Sequence, residues 1–445
     1  MLERNGNLPE RERRSSCLRI ADSVGIALAA ARAGDTAAQV LAALAEGSSG
    51  GVCGVFGHAR REAPAAAAFA NSALIHVLDF DDIHDAARLH PTTVSLPAAL
   101  AAAQLVGASG PRVVEAVLLG DELMCRLGVM CSPTGSGPGS DWFLTQLFGY
   151  FGAAVAAGLV LELDEEALVS AFGLAYMQAA GGKEAGFGTG ATARAIYPAF
   201  AAMGGVQAAL LARAGMRGPE GAFDGAAGLF PVYLGARATP AQRNLLLELD
   251  GWQSAAIELK PWPSCRLSHP YIAAALALRA QLGDAVPTRV EAAVNASAAK
   301  LCRPLAQRRR PATLQDAKYS IPWMIAFTLV HGRVDLVSLN DATLGDERVL
   351  DLAQRVDVVE NLPDRPGHPP ARIRIDAAGG RMWLSPAEVR VDGMDAAAAA
   401  RKFADCLARA GIAPEQADAL WSALLRLDLQ ADVGFLFGGG VLRDR

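Results

Sequence analysis

No CxxC pair occurs in the 445 residues, and the seven cysteines (Cys17, Cys53, Cys125, Cys131, Cys265, Cys302 and Cys406) are scattered and odd in number. A disulfide framework or a structural zinc site needs paired, regularly spaced thiols, so the pattern points to reduced thiols in a cytoplasmic protein. Basic charge is not in excess either, with 41 Lys and Arg against 46 Asp and Glu. A net charge of -5 gives a polyanion no electrostatic footprint, so nucleic-acid binding is set aside. Long apolar runs are missing as well. The stretch FGYFGAAVAAGLVL at residues 148–161 is too short and too rich in Gly and Ala to span a bilayer, and no membrane segment is expected. Near the N-terminus, RERRSSCLRIADSVGIALAAARAG superficially resembles a signal peptide, but Asp22 interrupts its apolar part and a first amphipathic helix is the better reading.

What is present is alanine-rich apolar sequence. With 52% hydrophobic and 20% charged residues, the chain is globular and long enough to bury a large core. From about residue 17 to 230, helical segments follow one another, punctuated by AGD, GASGPR and RGPEG. Near Lys260 the pattern changes, because KPWPSCRLSHP holds three prolines and excludes regular helix. Beyond it, TRVEAAVNAS and RVDVVE read as strands, and ARIRIDAAGGRMWLS alternates across a Gly-Gly turn as a hairpin would. Helices then return in APEQADALWSALLRLD, where Pro414 suits a first turn and Ala417, Leu420, Leu424 and Leu427 share a face. The expected fold is mainly α, with a large all-helical domain built from residues 1–265 and 396–445. A smaller α+β lid domain would occupy residues 266–395. No internal repeat is evident.

Chemistry concentrates in NSALIHVLDFDDIHDAARLHPTTVSLPAAL, residues 71–100, where four aspartates and three histidines interrupt an apolar segment. On a helix, His76, Asp79 and Asp82 fall at intervals of three and share one face, which is costly to bury unless the groups are paired. Pro91 places His90 in a loop, and Pro97 suits the start of the next helix, so the N–H groups near Thr93 and Ser95 would welcome an anion. Three readings follow from the residues. DDIHD at residues 81–85 has the spacing of a magnesium diphosphate site, but its partner motif is missed in NDATLGDE, where Leu344 stands in place of Ser or Thr and Glu347 falls one position early. An aromatic content of only 6% also suits a carbocation pocket poorly. A hydrolytic metal centre on Asp79, Asp82, His84 and His90 has no defined ligand spacing behind it. The third reading is a solvated helix end, which fits Asp81 and Asp85 better than it fits His90.

The same stretch, ALIHVLDFDDIHDAARLHPTTVSLPAALAAAQ, resembles the signature of the MmgE/PrpD family. Segments resembling that family recur in order along the chain, among them GAAVAAGLVLELDEEALVSAFGLAYMQAAGG, KPWPSCRLSHPYIAAALAL and DAKYSIPWMIAFTLVHG. The resemblance implies a homodimer with no metal or organic cofactor, acting as a lyase or isomerase on a small carboxylate through a carbanion-like intermediate. Without a metal, such chemistry needs a base, an acid and cations for the carboxylates, for which histidine and arginine are suited.

Carried onto this sequence, the resemblance makes His90 the principal acid/base and Asp79 the group that orients it or polarises the site. His269 and Tyr197 become second proton carriers. Arg194 and Arg266 would bind carboxylates, with Lys260 and His84 beside them. Cys265 reads as a packing residue, since no base stands next to it. The departures are Leu144 in place of a histidine, Arg194 in place of a lysine, Tyr197 in place of a histidine, Ile83 in place of a threonine and Trp323 in place of a tyrosine. Leu144 and Trp323 would line a larger, more apolar pocket for a bulkier substrate. The alternatives are a relative that binds a ligand without turnover and a magnesium-dependent diphosphate enzyme. Finally, Gly186, Gly188 and Ala191 fit a loose GxGxxG/A fingerprint, but a helix and not a strand is expected before them, so a loop at the site is favoured, with Lys183 and Glu184 either lining it or lying on the surface.

Overall fold

A computed structural model describes residues 8–437 apart from 35, 48–49, 132–139, 188–189, 249–250, 284, 387–388, 390 and 392. Its larger part is a helical bundle comprising α1 (Glu10–Ala30), α2 (Pro64–His76), α3 (Thr92–Val106), α4 (Gly110–Cys131), α5 (Leu144–Val160), α6 (Glu165–Tyr176) and α7 (Tyr197–Arg213). These helices are apolar on most faces, not one, so they surround each other in a thick core. Small residues set how closely they approach. A Cβ on Gly205 of α7 would lie 2.3 Å from the Ala153 Cβ of α5, and one on Gly149 would lie 2.9 Å from that of Ala201.

The chain then leaves the bundle and builds a second core from α8 (His269–Leu282), α9 (Ile321–His331) and a sheet. Two strands first close a short ladder inside the bundle's edge, β1 (Ile83–His84) pairing antiparallel with β2 (Ile257–Glu258). The sheet itself has the order β4-β3-β5-β6, with β3 (Pro287–Val294), β4 (Val356–Glu360), β5 (Arg372–Ala377) and β6 (Met382–Leu384). β3 runs parallel to β4 and antiparallel to β5, with Val290 opposite both Val356 and Ile375. The hairpin expected around the Gly-Gly pair is β5–β6, and both Gly379 and Gly380 adopt positive φ to turn it.

Two last helices, α10 (Ala396–Arg409) and α11 (Pro414–Leu424), return to the bundle. Phe403 packs where Gly25 leaves room on α1, Lys402 Nζ donates to Asp22 Oδ2 at 2.9 Å, and Leu420, Leu424 and Leu427 join the first core. The fold is therefore mainly helical, with one four-stranded sheet and two short two-stranded ladders among the described residues. No helix of the described residues is long and apolar enough to cross a membrane.

Two local expectations are corrected. The aspartate-rich stretch is not a continuation of helix: α2 stops at His76, Asp79 takes φ +55°, and the chain turns through β1 and a second left-handed residue, Arg88, at φ +53°. The polar groups leave the helix because, kept on it, they would face the bundle's apolar core unpaired. Helix α3 also begins earlier than Pro97, at Thr92, and carries Pro97 inside its second turn, where the missing N–H forfeits one backbone bond.

Candidate active site

Because the stretch after α2 turns back on itself, its side chains converge instead of lining one face. His76 Nδ1 lies 2.8 Å from Asp81 Oδ2, and His90 Nδ1 lies 2.5 Å from the Asp82 carbonyl and 3.6 Å from Asp81. A carbonyl can only accept, so the proton of neutral His90 sits on Nδ1 and the lone pair on Nε2. Nε2 has no partner among the described residues. Burial is the main force lowering the His90 pKa, to about 3, with Lys260 and His76 adding to it against the pull of Asp81. The imidazole is thus neutral at physiological pH. Burial alone would raise the Asp81 carboxyl, but its interactions with His76, His90 and Lys260, including the hydrogen bond to His76, outweigh it and hold the group well below the usual range.

His90 opens onto a cavity of about 170 Å³ between the two cores. From the bundle, Leu144, Thr145, Arg194 and Tyr197 line it; from the other side come Lys260, Cys265, Arg266 and Tyr319. Tyr197 Oη reaches Thr145 Oγ1 at 3.3 Å, and its ring meets His76 edge-on at 4.9 Å. Burial pushes its phenol above the ordinary value, so it keeps its proton. Lys260 Nζ donates to the Asp79 carbonyl at 3.0 Å and stands 3.8 Å from Asp81 Oδ1. Arg194 lies over the Tyr319 ring at 4.0 Å, its Nε donating to the Ala185 carbonyl.

Several expected site residues are placed otherwise. Asp79 does not hold His90: its carboxylate accepts from Tyr319 Oη at 2.5 Å and Gln315 Nε2 at 3.1 Å, with Lys318 Nζ at 3.7 Å. Its left-handed backbone turns the side chain toward the second core, and it positions Tyr319 instead. His269 is fully buried outside the cavity, with Nε2 against the Ser264 carbonyl at 3.2 Å and its ring against Trp262. As the first residue of α8 it points into the packing, where burial drives its pKa well down. Trp323 is no cavity wall either, being sealed in the second core and stacked on Phe327 at 4.9 Å. His84 faces inward, bonded to the Gln253 carbonyl and accepting from Ala87 N–H. Arg266 does line the cavity, but Asp85 and Glu258 already occupy its guanidinium at 2.7 and 2.6 Å, leaving Nη1 without a hydrogen-bond partner among the described residues.

Asp85, Glu258 and His368 bring three ligand atoms within 4.8 Å of one another. Their carboxylates clasp Arg266, whose charge occupies the position a cation would need. The DDIHD segment does not form a diphosphate site: Asp81 is turned to His76, and Asp82 is buried near Asp121, which together with burial raises its carboxyl well above the usual range. In the glycine fingerprint, Gly188 lies outside the described residues, and the preceding element is helix α6, not a strand.

Sequence reasoning passed over Tyr319, Thr145, Arg88 and Lys300, all on the cavity wall, and left Lys183 undecided. None sits in a spacing that signals a site. Only their convergence from distant segments reveals them.

Comparison with known proteins identifies the MmgE/PrpD N-terminal domain over residues 4–242 and the MmgE/PrpD C-terminal domain over residues 262–377. The chain is 31% identical over 340 residues to the cis-aconitate decarboxylase-like protein oryM of Aspergillus oryzae, a match covering 72% of this chain and 69% of that protein. It is 29% identical over 234 residues to the cis-aconitate decarboxylase of Aspergillus terreus, covering 49% of this chain and 46% of that enzyme.

Proposed function

Because the chain belongs to the MmgE/PrpD family, we propose that it is a lyase acting on a carboxylate-bearing small molecule, expelling water or CO₂ through a carbanion-like intermediate. The observation that carries this reading is His90, whose Nδ1 is tied to the Asp82 carbonyl while Nε2 is left as the basic atom at the cavity. The names of the relatives, cis-aconitate decarboxylases, support elimination over epimerisation.

The chemistry follows from the chain's own groups. For water loss, His90 Nε2 takes the proton α to a carboxylate. The electron pair left on that carbon delocalises into the carboxylate, whose growing charge Lys260 and Arg194 stabilise, and the pair then forms the double bond as the hydroxyl leaves with a proton from Tyr197. For CO₂ loss, the carbon–carbon bond breaks instead, its electron pair passes to the α carbon, and a proton from protonated His90 or Tyr197 completes the product. A bound carboxylate raises the low His90 pKa toward the range in which it can both take and give a proton. Asp79 acts at one remove by fixing Tyr319 against Arg194.

Proton NMR in D₂O of the purified protein with a panel of small saturated and unsaturated polycarboxylates tests this reading. Loss of water or CO₂, or exchange of one α hydrogen, is expected for at least one acid. No reaction and no exchange across the panel, in a folded protein, would favour a relative that binds without turnover.

A further inference from the structure

Lys183 lines the cavity, yet the acid–base chemistry above leaves it unused. Its backbone is fixed by an antiparallel bridge between two distant segments: Lys183 N–H donates to the Asp141 carbonyl at 2.8 Å and Phe143 N–H to the Gly181 carbonyl at 2.7 Å. The ammonium lies 5.9 Å from the centre of the Phe143 ring. Phe143 stacks on Tyr197 at 4.1 Å, and Tyr197 meets His76 at 4.9 Å. A file of rings therefore leads from the histidine pair to Lys183 and separates two ends of one cavity.

The charges at the two ends differ. His90 faces Asp81, Lys260 and His76, whereas Lys183 faces Lys300 and Arg88, with Cys265 and Asp141 as its other polar neighbours. Arg88 is held in place by Ser297 Oγ at 2.6 Å and Asp364 Oδ1 at 3.0 Å. Lys183 makes no ion pair among the described residues, and its contact is the Phe143 ring. Burial and the neighbouring cations lower its pKa to about 8. Lys183, Arg88 and Lys300 thus bring three cationic side chains to one wall, which favours an entering anion even with Arg88 paired to Asp364. Along the wall between the ends, Trp142, Phe143, Leu144 and Leu301 offer apolar surface suited to methylene groups.

We propose that Lys183, with Arg88 and Lys300 beside it, binds a second carboxylate of the substrate at the end of the cavity away from His90. It thereby selects acids in which a carbon spacer separates that carboxylate from the reacting carbon. The assignment rests on the carboxylate reading above and adds to it the position of the second anionic group and the residue that reads it.

Isothermal titration of tricarballylate and the monoacid butyrate into wild type, Lys183→Met and Lys183→Arg tests the assignment without requiring turnover. Wild type binds the triacid more tightly; Lys183→Met weakens the triacid by about tenfold or more and the monoacid by no more than about twofold, and Lys183→Arg recovers most of the loss. Raising the pH from about 7 to about 9.5 weakens triacid binding to wild type as the lysine loses its proton, and leaves Lys183→Met nearly unchanged. Thermal melts confirm that the variants are folded. An unchanged triacid affinity in Lys183→Met, or an equal loss for both acids, overturns the Lys183 assignment alone. Wild type that binds neither acid overturns the assignment and the carboxylate reading together.

Discussion

Replacing His90 by alanine separates the catalytic reading from a structural one, because the two consequences differ in size and in pH dependence. On the catalytic side, the variant loses the imidazole nitrogen left as the base at the cavity. General acid–base catalysis contributes about 10²–10⁴-fold, equal to about 3–5 kcal/mol of barrier. On the structural side, the side chain's hydrogen bond is to the Asp82 carbonyl, and the backbone bond to Thr145 Oγ1 survives the substitution. Folding stability near neutral pH should therefore fall by only about 1–2 kcal/mol. The acid side carries a further signature. The folded His90 pKa is lowered to about 3 from 6.5, so the unfolded chain binds the extra proton between those values. Wild type then loses stability as pH falls from 6.5, at up to about 1.4 kcal/mol per pH unit, while His90→Ala lacks that component. Hydrogen exchange of the substrate followed by NMR, with urea melts from neutral to acid pH, measures both effects. A variant that exchanges substrate within about threefold of wild type refutes the assignment of His90 as the proton carrier.

Three further outcomes are expected. Asp81→Asn should destabilise the protein by about 3–5 kcal/mol at neutral pH, because it strips the counter-charge from buried Lys260 and replaces the charged acceptor of His76 by a neutral amide. Since the native Asp81 pKa is depressed, that contribution is present above the unfolded carboxylate pKa and lost on acidification; a gap between urea midpoints that widens below about pH 4 would contradict the account. Gly205→Ala forces a methyl to within 2.3 Å of Ala153 Cβ and 2.7 Å of the Ala154 backbone nitrogen, so calorimetry should register a loss of about 1–3 kcal/mol, and an unchanged melting temperature would count against the close α5–α7 packing. Turnover should survive EDTA, because the acids of the DDIHD segment are buried or clasped by Arg266 while Lys183, Lys260 and Arg88 face the cavity; activity lost to the chelator and restored by Mg²⁺ would sink this reading.

How far the site could be read from sequence depended on how local its signals were. The place of His90 on the cavity wall was legible because a histidine beside a proline, just ahead of a helix, is a one-dimensional pattern. Tyr197, Arg194, Leu144 and Lys260 also reached the cavity wall. The assignments that moved, His269, Trp323 and His84, were made from position within a motif, and position does not fix side-chain direction. His269 begins a helix, and the direction of that helix turns its ring into the core. Asp79 moved for a related reason, since its left-handed φ aims the carboxylate across to Tyr319, 240 positions away.

The sequence by itself determined the helical bundle, the α+β insertion and the family, because apolar periodicity, proline placement and the aspartate-histidine signature are written into neighbouring residues. It also carried the hairpin, whose paired glycines supply the positive φ that the turn requires. Tertiary structure alone decided which groups meet: Asp81 with His76 and Lys260, Arg266 with Asp85 and Glu258, and Lys183 with Arg88 and Lys300. Charge partners, burial and therefore pKa depend on distances across the interface between two cores. Those distances are fixed when the cores pack, and no spacing along the chain records them.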